Sequence, residues 1–250
     1  MKILMMVAPE EHYMVASVHK ALDHKREARP LLGILSVTTY VKHRRPDIEF
    51  KFIDGRAEGL TFEDVARRVR EFEPDLVGLT CLTFNYYDTL RTATIVKEVC
   101  PGAKVCIGGW HVSLYPKETL AQDAVDYVVF GEGERTFLEL VNCVSEGREP
   151  VGILGLASKV DGMVVMNAER PVDDPQHGTS GALPVVHGGT TQQVEMLVSK
   201  QRPIDKKLDE IDFPDFGLVD IGRYSHILDR GFEVTSVSYT HLTLPTILLV

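Results

Sequence analysis

Several short stretches carry residue types that suit a ligand approaching the main chain. Gly108-Gly109 closes an apolar run and is followed by Trp110-His111. Two adjacent residues without side chains let a flat or bulky group come close to the backbone, although the same pair also serves a tight turn that needs positive φ. A second stretch, Gly131-Glu132-Gly133-Glu134-Arg135-Thr136, offers backbone N–H groups at the start of a helix, a setting that suits an anion. As a dinucleotide fingerprint it fails. It follows the fifth apolar run rather than the first, and Arg135-Thr136 stand where a third glycine is required. A phosphoacceptor receiver fails too, since the third run ends in Thr80-Cys81-Leu82 without an aspartate, and "APEEHYM" is no flavodoxin phosphate loop. The four cysteines, Cys81, Cys100, Cys106 and Cys143, have spacings that match no zinc or disulfide frame and read as buried small hydrophobes.

The elements that must position these loops alternate along residues 1–146. "KILMMV" (2–7), "EFKFID" (49–54), "DLVGLTCL" (75–82), "AKVCIGG" (103–109) and the run at 125–130 read as strands. Between them lie helical periodicities. Pro30 opens one, with Leu31, Ile34, Leu35, Thr38 and Val41 on a single face, and Thr61 caps another, with Asp64 three residues on and Val65, Val69 and Phe72 in register. Further helices are expected at 87–100, 116–122 and after Gly133. Near-continuous apolar strands separated by helices predict an α/β fold, a doubly wound five-stranded parallel sheet. Right-handed crossovers make the flavodoxin-like order 2-1-3-4-5 the expected topology, with ligands outside the carboxyl ends of the strands.

Past residue 150 the alternation stops. "LGLASKVDGMVVMN" (154–167) reads as a hairpin turning at Asp161-Gly162, residues 171–203 as an exposed linker or insertion without periodicity, and 207–226 as an irregular connector. Its anchors Leu208, Ile211, Phe213 and Phe216 suit packing along another surface. The formal charge of −9, with short basic runs interleaved with acids, argues against nucleic acid. No stretch approaches a membrane span and the N-terminus lacks a signal-peptide pattern, so a cytoplasmic protein is expected.

Taken together, "VGLTCLTFN" (77–85), "CIGGWHVSLYP" (106–116) and "VDYVVFGEGERTFLEL" (125–140), preceded by "PLLGILSVTTYV" (30–41), resemble the N-terminal cobalamin-binding domain of cobalamin-dependent radical S-adenosylmethionine (SAM) enzymes. Methyltransferases and the magnesium-protoporphyrin monomethyl ester cyclase are of this type. The resemblance implies a Rossmann-like cobalamin fold over about residues 1–146, with "LDEIDFPDF" (208–216) as the connector toward a catalytic barrel. It also implies site roles. Thr80 and Leu82 take the Ser-x-Leu positions beside the dimethylbenzimidazole tail, Gly108 and Gly109 the glycine pair that the tail passes, and Gly131, Glu132 and Gly133 the rim. Trp110 and His111 either flank the corrin or cap the loop. Many cobalamin domains carry Asp-x-His-x-x-Gly after the first strand, whose His binds cobalt; the text here is Glu10-Glu11-His12 without the glycine, which weighs against His12 as a metal ligand.

In the family a C-terminal domain holds a 4Fe-4S cluster on CxxxCxxC, cleaves SAM, and serves methyl transfer or cyclisation at an unactivated carbon. That cysteine pattern is missing from this sequence. Residues 236–246, "SVSYTHLTLPT", resemble a translated sequencing adapter. The chain is therefore expected to comprise a cobalamin-binding domain (1–146), a hairpin, insertion and connector (147–235) leading toward the missing catalytic radical SAM domain, and a non-native tail (236–250). A standalone cobalamin carrier or sensor is the alternative, and a flavodoxin-like module for another ligand a third.

Overall fold

Six residues of "KILMMV" form β1 (Lys2–Val7), and five of them are buried, so this strand runs through the middle of the molecule. The computed structural model describes residues 1–12, 29–160, 163–166, 181–187, 190–196 and 210–224. β1 pairs in parallel with β2 (Glu49–Asp54) on one side and β3 (Leu76–Thr80) on the other. β4 (Lys104–Gly108) and β5 (Tyr127–Val129) continue in parallel, giving the expected order β2-β1-β3-β4-β5. The sheet then goes on with two antiparallel strands, β6 (Leu156–Val160) and β7 (Met163–Met166), to reach seven. The expected turn at Asp161-Gly162 lies outside the described residues.

Alternation along each strand divides the core between the two faces of the sheet. Leu4, Met6, Val77 and Leu79 pack with Val65, Val69, Ala93 and Val96 from α2 (Phe62–Phe72) and α3 (Tyr86–Val99). Ile3, Met5 and Val7 face the other way, against Ile34 and Val41 of α1 (Leu32–Arg44) and Phe137, Leu140 and Val141 of α6 (Glu134–Ser145). Each fully buried Leu or Ile contributes roughly 2 kcal/mol of transfer free energy. Two one-turn helices, α4 (Trp110–Leu114) and α5 (Pro116–Leu120), connect β4 to β5. Cys81, Cys106 and Cys143 are buried and Cys100 half-buried, all unpaired.

Local chemistry explains the helix starts. Thr61 and Asp64 form the capping box of α2 with both reciprocal bonds in place. α1 begins two residues later than its proline suggests, with Pro30 outside and Leu31 as an uncapped N-cap.

The stretch 171–203 departs from expectation. It contains an antiparallel pair, β8 (Gly181–His187) and β9 (Thr190–Met196), rather than a linker throughout. Residues 188–189, outside the described set, read Gly-Gly, a dipeptide favoured in two-residue hairpin loops. Leu208 and the tail 236–250 also lie outside the described residues. Among the described residues no helix is long and apolar enough to cross a membrane.

Candidate functional site

Parallel strands end together, so Val7, Asp54, Thr80, Gly108 and Val129 share one edge of the sheet. Strand order reverses between β1 and β3, and the crevice outside the carboxyl ends there is where open sheets of this kind take ligands.

The glycine pair divides its labour. Gly109 has φ 106°, and a Cβ there would stand 2.6 Å from the Cys81 carbonyl oxygen, 2.9 Å from the Cys81 nitrogen and 3.1 Å from Thr80 Oγ1. Only glycine fits, because the loop after β4 presses on the end of β3. Gly108 is different. A Cβ at this position would meet only Val129, at 3.6 and 3.9 Å, which is ordinary contact. The turn requirement thus belongs to Gly109, while nothing in the packing around Gly108 demands a glycine.

Thr80 is half-buried, and none of the described residues hydrogen-bonds its hydroxyl. Leu82 is also half-buried, its N–H donating to Asn85 Oδ1 at 2.8 Å, which bends the chain into a 3-10 turn over Thr83–Asn85. Between them, burial pushes the Cys81 thiol up to about 12, against a smaller opposing hydrogen bond with Thr89, so it stays protonated and inert.

His111 is held from three sides. Its ring lies 4.3 Å from that of Tyr86 and 5.2 Å from that of Tyr115, and its Nδ1 is 3.3 Å from Thr83 Oγ1. Burial lowers its pKa below 6.5 despite the opposing pull of Glu118, so the imidazole is neutral at pH 7. Beside it Trp110 is 60% exposed, and Tyr87, Leu114 and Tyr115 are exposed as well, forming an apolar lip on the edge.

The stretch 131–134 works as a brace. The Gly131 N–H donates to Ser113 Oγ at 3.1 Å, and that hydroxyl donates in turn to the Gly109 carbonyl at 3.0 Å, tying the β5 loop to the β4 loop. Glu134 accepts from Ser36 Oγ at 2.8 Å, and a Cβ on Gly133 would stand 3.1 Å from Val37 Cγ2. Glu134 is the acid in the first turn of α6, near the positive end of the helix dipole, and a second anion would meet its charge there. A separate anion has little to gain there. Glu132 is half-buried.

His12 sits beyond the end of β1 with its side chain 69% exposed. Its Nδ1 lies 2.8 Å from Oδ1 of Asp88, a buried carboxylate on the first turn of α3. Oδ2 of the same group accepts the backbone N–H groups of Glu11 and His12, each at 3.1 Å. Glu11 itself accepts the Phe62 N–H at 2.9 Å, and Glu10 faces Arg56 at 3.7 Å. The acid that orients His12 is therefore 76 residues away, not two. Nothing local in the sequence signals Asp88, because the contact arises from the packing of α3 against the β1 loop.

Comparison with known proteins adds the family. Residues 29–141 match the B12 binding domain. An uncharacterized methyltransferase, PH0819, of Pyrococcus horikoshii is 39% identical over 173 residues, covering 69% of this chain and 36% of that protein. The anaerobic magnesium-protoporphyrin IX monomethyl ester cyclase of Rubrivivax gelatinosus is 35% identical over 129 residues, covering 49% of this chain and 23% of the cyclase. The chain thus spans about a third or less of the length of these relatives. The radical SAM methyltransferase TsrM of Kitasatospora setae shares the fold, with a TM-score of 0.54 at 20% identity over 66% of this chain and 30% of that one. The N-terminal part of this chain is therefore a B12-binding domain, related to those of cobalamin-dependent radical SAM methyltransferases.

Proposed function

We propose that this chain is the cobalamin-binding portion of a radical SAM enzyme that transfers a methyl group or closes a ring at an unactivated carbon. The observation that carries the reading is the carboxyl edge at Thr80 and Gly108, on the two strands that follow the strand-order reversal and within the segment that matches the B12 family. Its chemistry suits a long nucleotide tail. Thr80 offers a hydroxyl with no partner among the described residues, Leu82 an apolar wall, and Gly108 a half-buried position without a side chain of its own.

Bound cobalamin would supply a cobalt centre that carries the methyl group. The work of the chain is to hold and orient it. Gly109 fixes the loop after β4 against β3, so Trp110 and His111 reach the same edge in set positions. A neutral His111 hydrogen-bonds an amide or phosphate without introducing a charge. Gly131, Glu132 and Gly133 close the rim. His12, with Nδ1 committed to Asp88, has Nε2 as the nitrogen open to a ligand. In the same proposal residues 1–146 bind the cofactor, 147–235 lead to a catalytic domain that carries SAM and a 4Fe-4S cluster, and 236–250 are of separate origin.

The test is direct. Purified protein incubated with hydroxocobalamin and desalted is expected to keep a red chromophore at one equivalent per chain. A folded sample that emerges colourless defeats the reading.

A further inference from the structure

The acidic segment 210–224 lies against a basic ledge made by α1 and the start of α6. Lys42, His43 and Arg44 close the last turn of α1. Asp215 meets Lys42 at 3.3 Å, Asp212 meets His43 Nδ1 at 3.2 Å and also the Arg44 guanidinium, and Glu210 meets Arg135 at 2.6 Å. Backbone contacts fix the register. The Asp215 N–H donates to Thr39 Oγ1 at 2.8 Å, and Arg44 donates to the Glu210 carbonyl at 2.9 Å. Asp215 is held below the usual carboxylate range, first by the Gly217 N–H, with burial opposing and Lys42 assisting. Burial pushes Asp212 up, but Arg44 and His43 together outweigh it.

The segment ends at the ligand edge. Tyr224 is buried, and its hydroxyl donates to Asp54 Oδ2 at 2.9 Å at the carboxyl end of β2. The other oxygen of Asp54 accepts the backbone N–H groups of Arg56 and Ala57, at 3.1 and 3.0 Å. Arg56 in turn faces Glu10 in the loop after β1. One carboxylate is thus shared between the segment and the loop after β2, which Arg56 links to the loop after β1.

We propose that residues 210–224 form a charge-docked splint, which fixes the point at which the chain beyond residue 224 departs and couples that point to the ligand edge through Asp54. Exposed ion pairs are individually weak, but three carboxylates on one short segment, with a buried Tyr–Asp contact at its end, act together. A fixed departure point at the carboxyl edge sets where any following domain meets the ligand. The coupling half rests on the cobalamin reading; the docking half does not.

Hydrogen exchange on the full chain tests both halves. In the free protein the amides of 210–224 should exchange slowly, and in D212N/D215N roughly tenfold faster, with β1 to β5 unchanged. Y224F should free the end of the segment and weaken hydroxocobalamin binding by about threefold, and saturating hydroxocobalamin should slow exchange across 210–224, because linkage is reciprocal. Exchange at the rate of an unstructured peptide, or rates indifferent to both variants, would overturn the splint. A protected segment indifferent to bound hydroxocobalamin would overturn the coupling alone. Should the wild-type protein bind no hydroxocobalamin, the cobalamin reading and the coupling fall, and the docking result stands separately.

Discussion

Replacing one or the other glycine of the pair at 108 and 109 asks two separate questions. Gly109→Ala forces a side chain into the Cys81 backbone at φ 106° and is expected to cost about 1–3 kcal/mol, read as a lowered denaturation midpoint. Gly108→Val puts a side chain where a Cβ meets only Val129, at ordinary contact distance, and should leave that midpoint near wild type while cutting hydroxocobalamin affinity more than tenfold. Equal binding by Gly108→Val and wild type would remove Gly108 from the site. That a glycine pair sat at a strand end was legible in the residues themselves. Which glycine served the turn was not, since the answer depends on a neighbouring strand almost 30 residues earlier in the chain. The same holds for His12. The residue was visible as a candidate, but its orienting acid, Asp88, belongs to another helix.

At the scale of the element, α2 shows how far a local pattern reaches. Thr61, Asp64 and the buried face of Val65, Val69 and Phe72 were all readable, because a capping box and a helical stripe are contained within a dozen residues. Thr61→Ala should destabilise the protein by about 1 kcal/mol in denaturant titration. The cap also has a pH signature. Hydrogen bonds from Arg67 first, then from Thr61, hold the Asp64 carboxyl at about 2, below its ordinary 3.8. The folded form therefore favours the ionised group, so this contribution is fully present above pH 3.8 and is lost as pH falls through about 2. Asp64→Asn should remove that part of the acid sensitivity, and an unchanged acid profile would count against it. Other elements were less legible. α1 buries Thr38 as its expected face requires, but also Thr39, and their hydroxyls bond the carbonyls of Ile34 and Leu35 at 2.6 and 2.8 Å, so polarity was no guide to exposure at 39. The pair β8 and β9 was missed although β8 reads Gly-Ala-Leu-Pro-Val-Val-His, a short apolar run, because β9 is mostly polar and the two share no alternating pattern. The connector showed its acids but not the basic ledge they meet, which α1 and α6 make jointly.

For the molecule as a whole, strand order followed from handedness. A right-handed crossover after every parallel strand leaves few ways to arrange five strands, and the observed order is the expected one. The hairpin after residue 150 was legible as a hairpin, but its attachment to the edge of the same sheet was not, because β5 and β6 meet through backbone groups that carry no side-chain signature. What the arrangement achieves is convergence: the loops after β1, β3, β4 and β5, together with the end of the connector, all arrive on one edge.

The lip on that edge carries a further consequence. Trp110 is the single tryptophan of the chain and is 60% exposed. All indole fluorescence therefore originates from one spot, beside the crevice, and a corrin absorbing in the near ultraviolet within a few ångströms of it would drain that emission by energy transfer. Titration with hydroxocobalamin should quench tryptophan fluorescence with the same midpoint as the change in visible absorbance, after correction for inner-filter absorption. Undiminished emission at saturation would place the chromophore elsewhere. The molecule carries its own optical gauge of occupancy, with no label added.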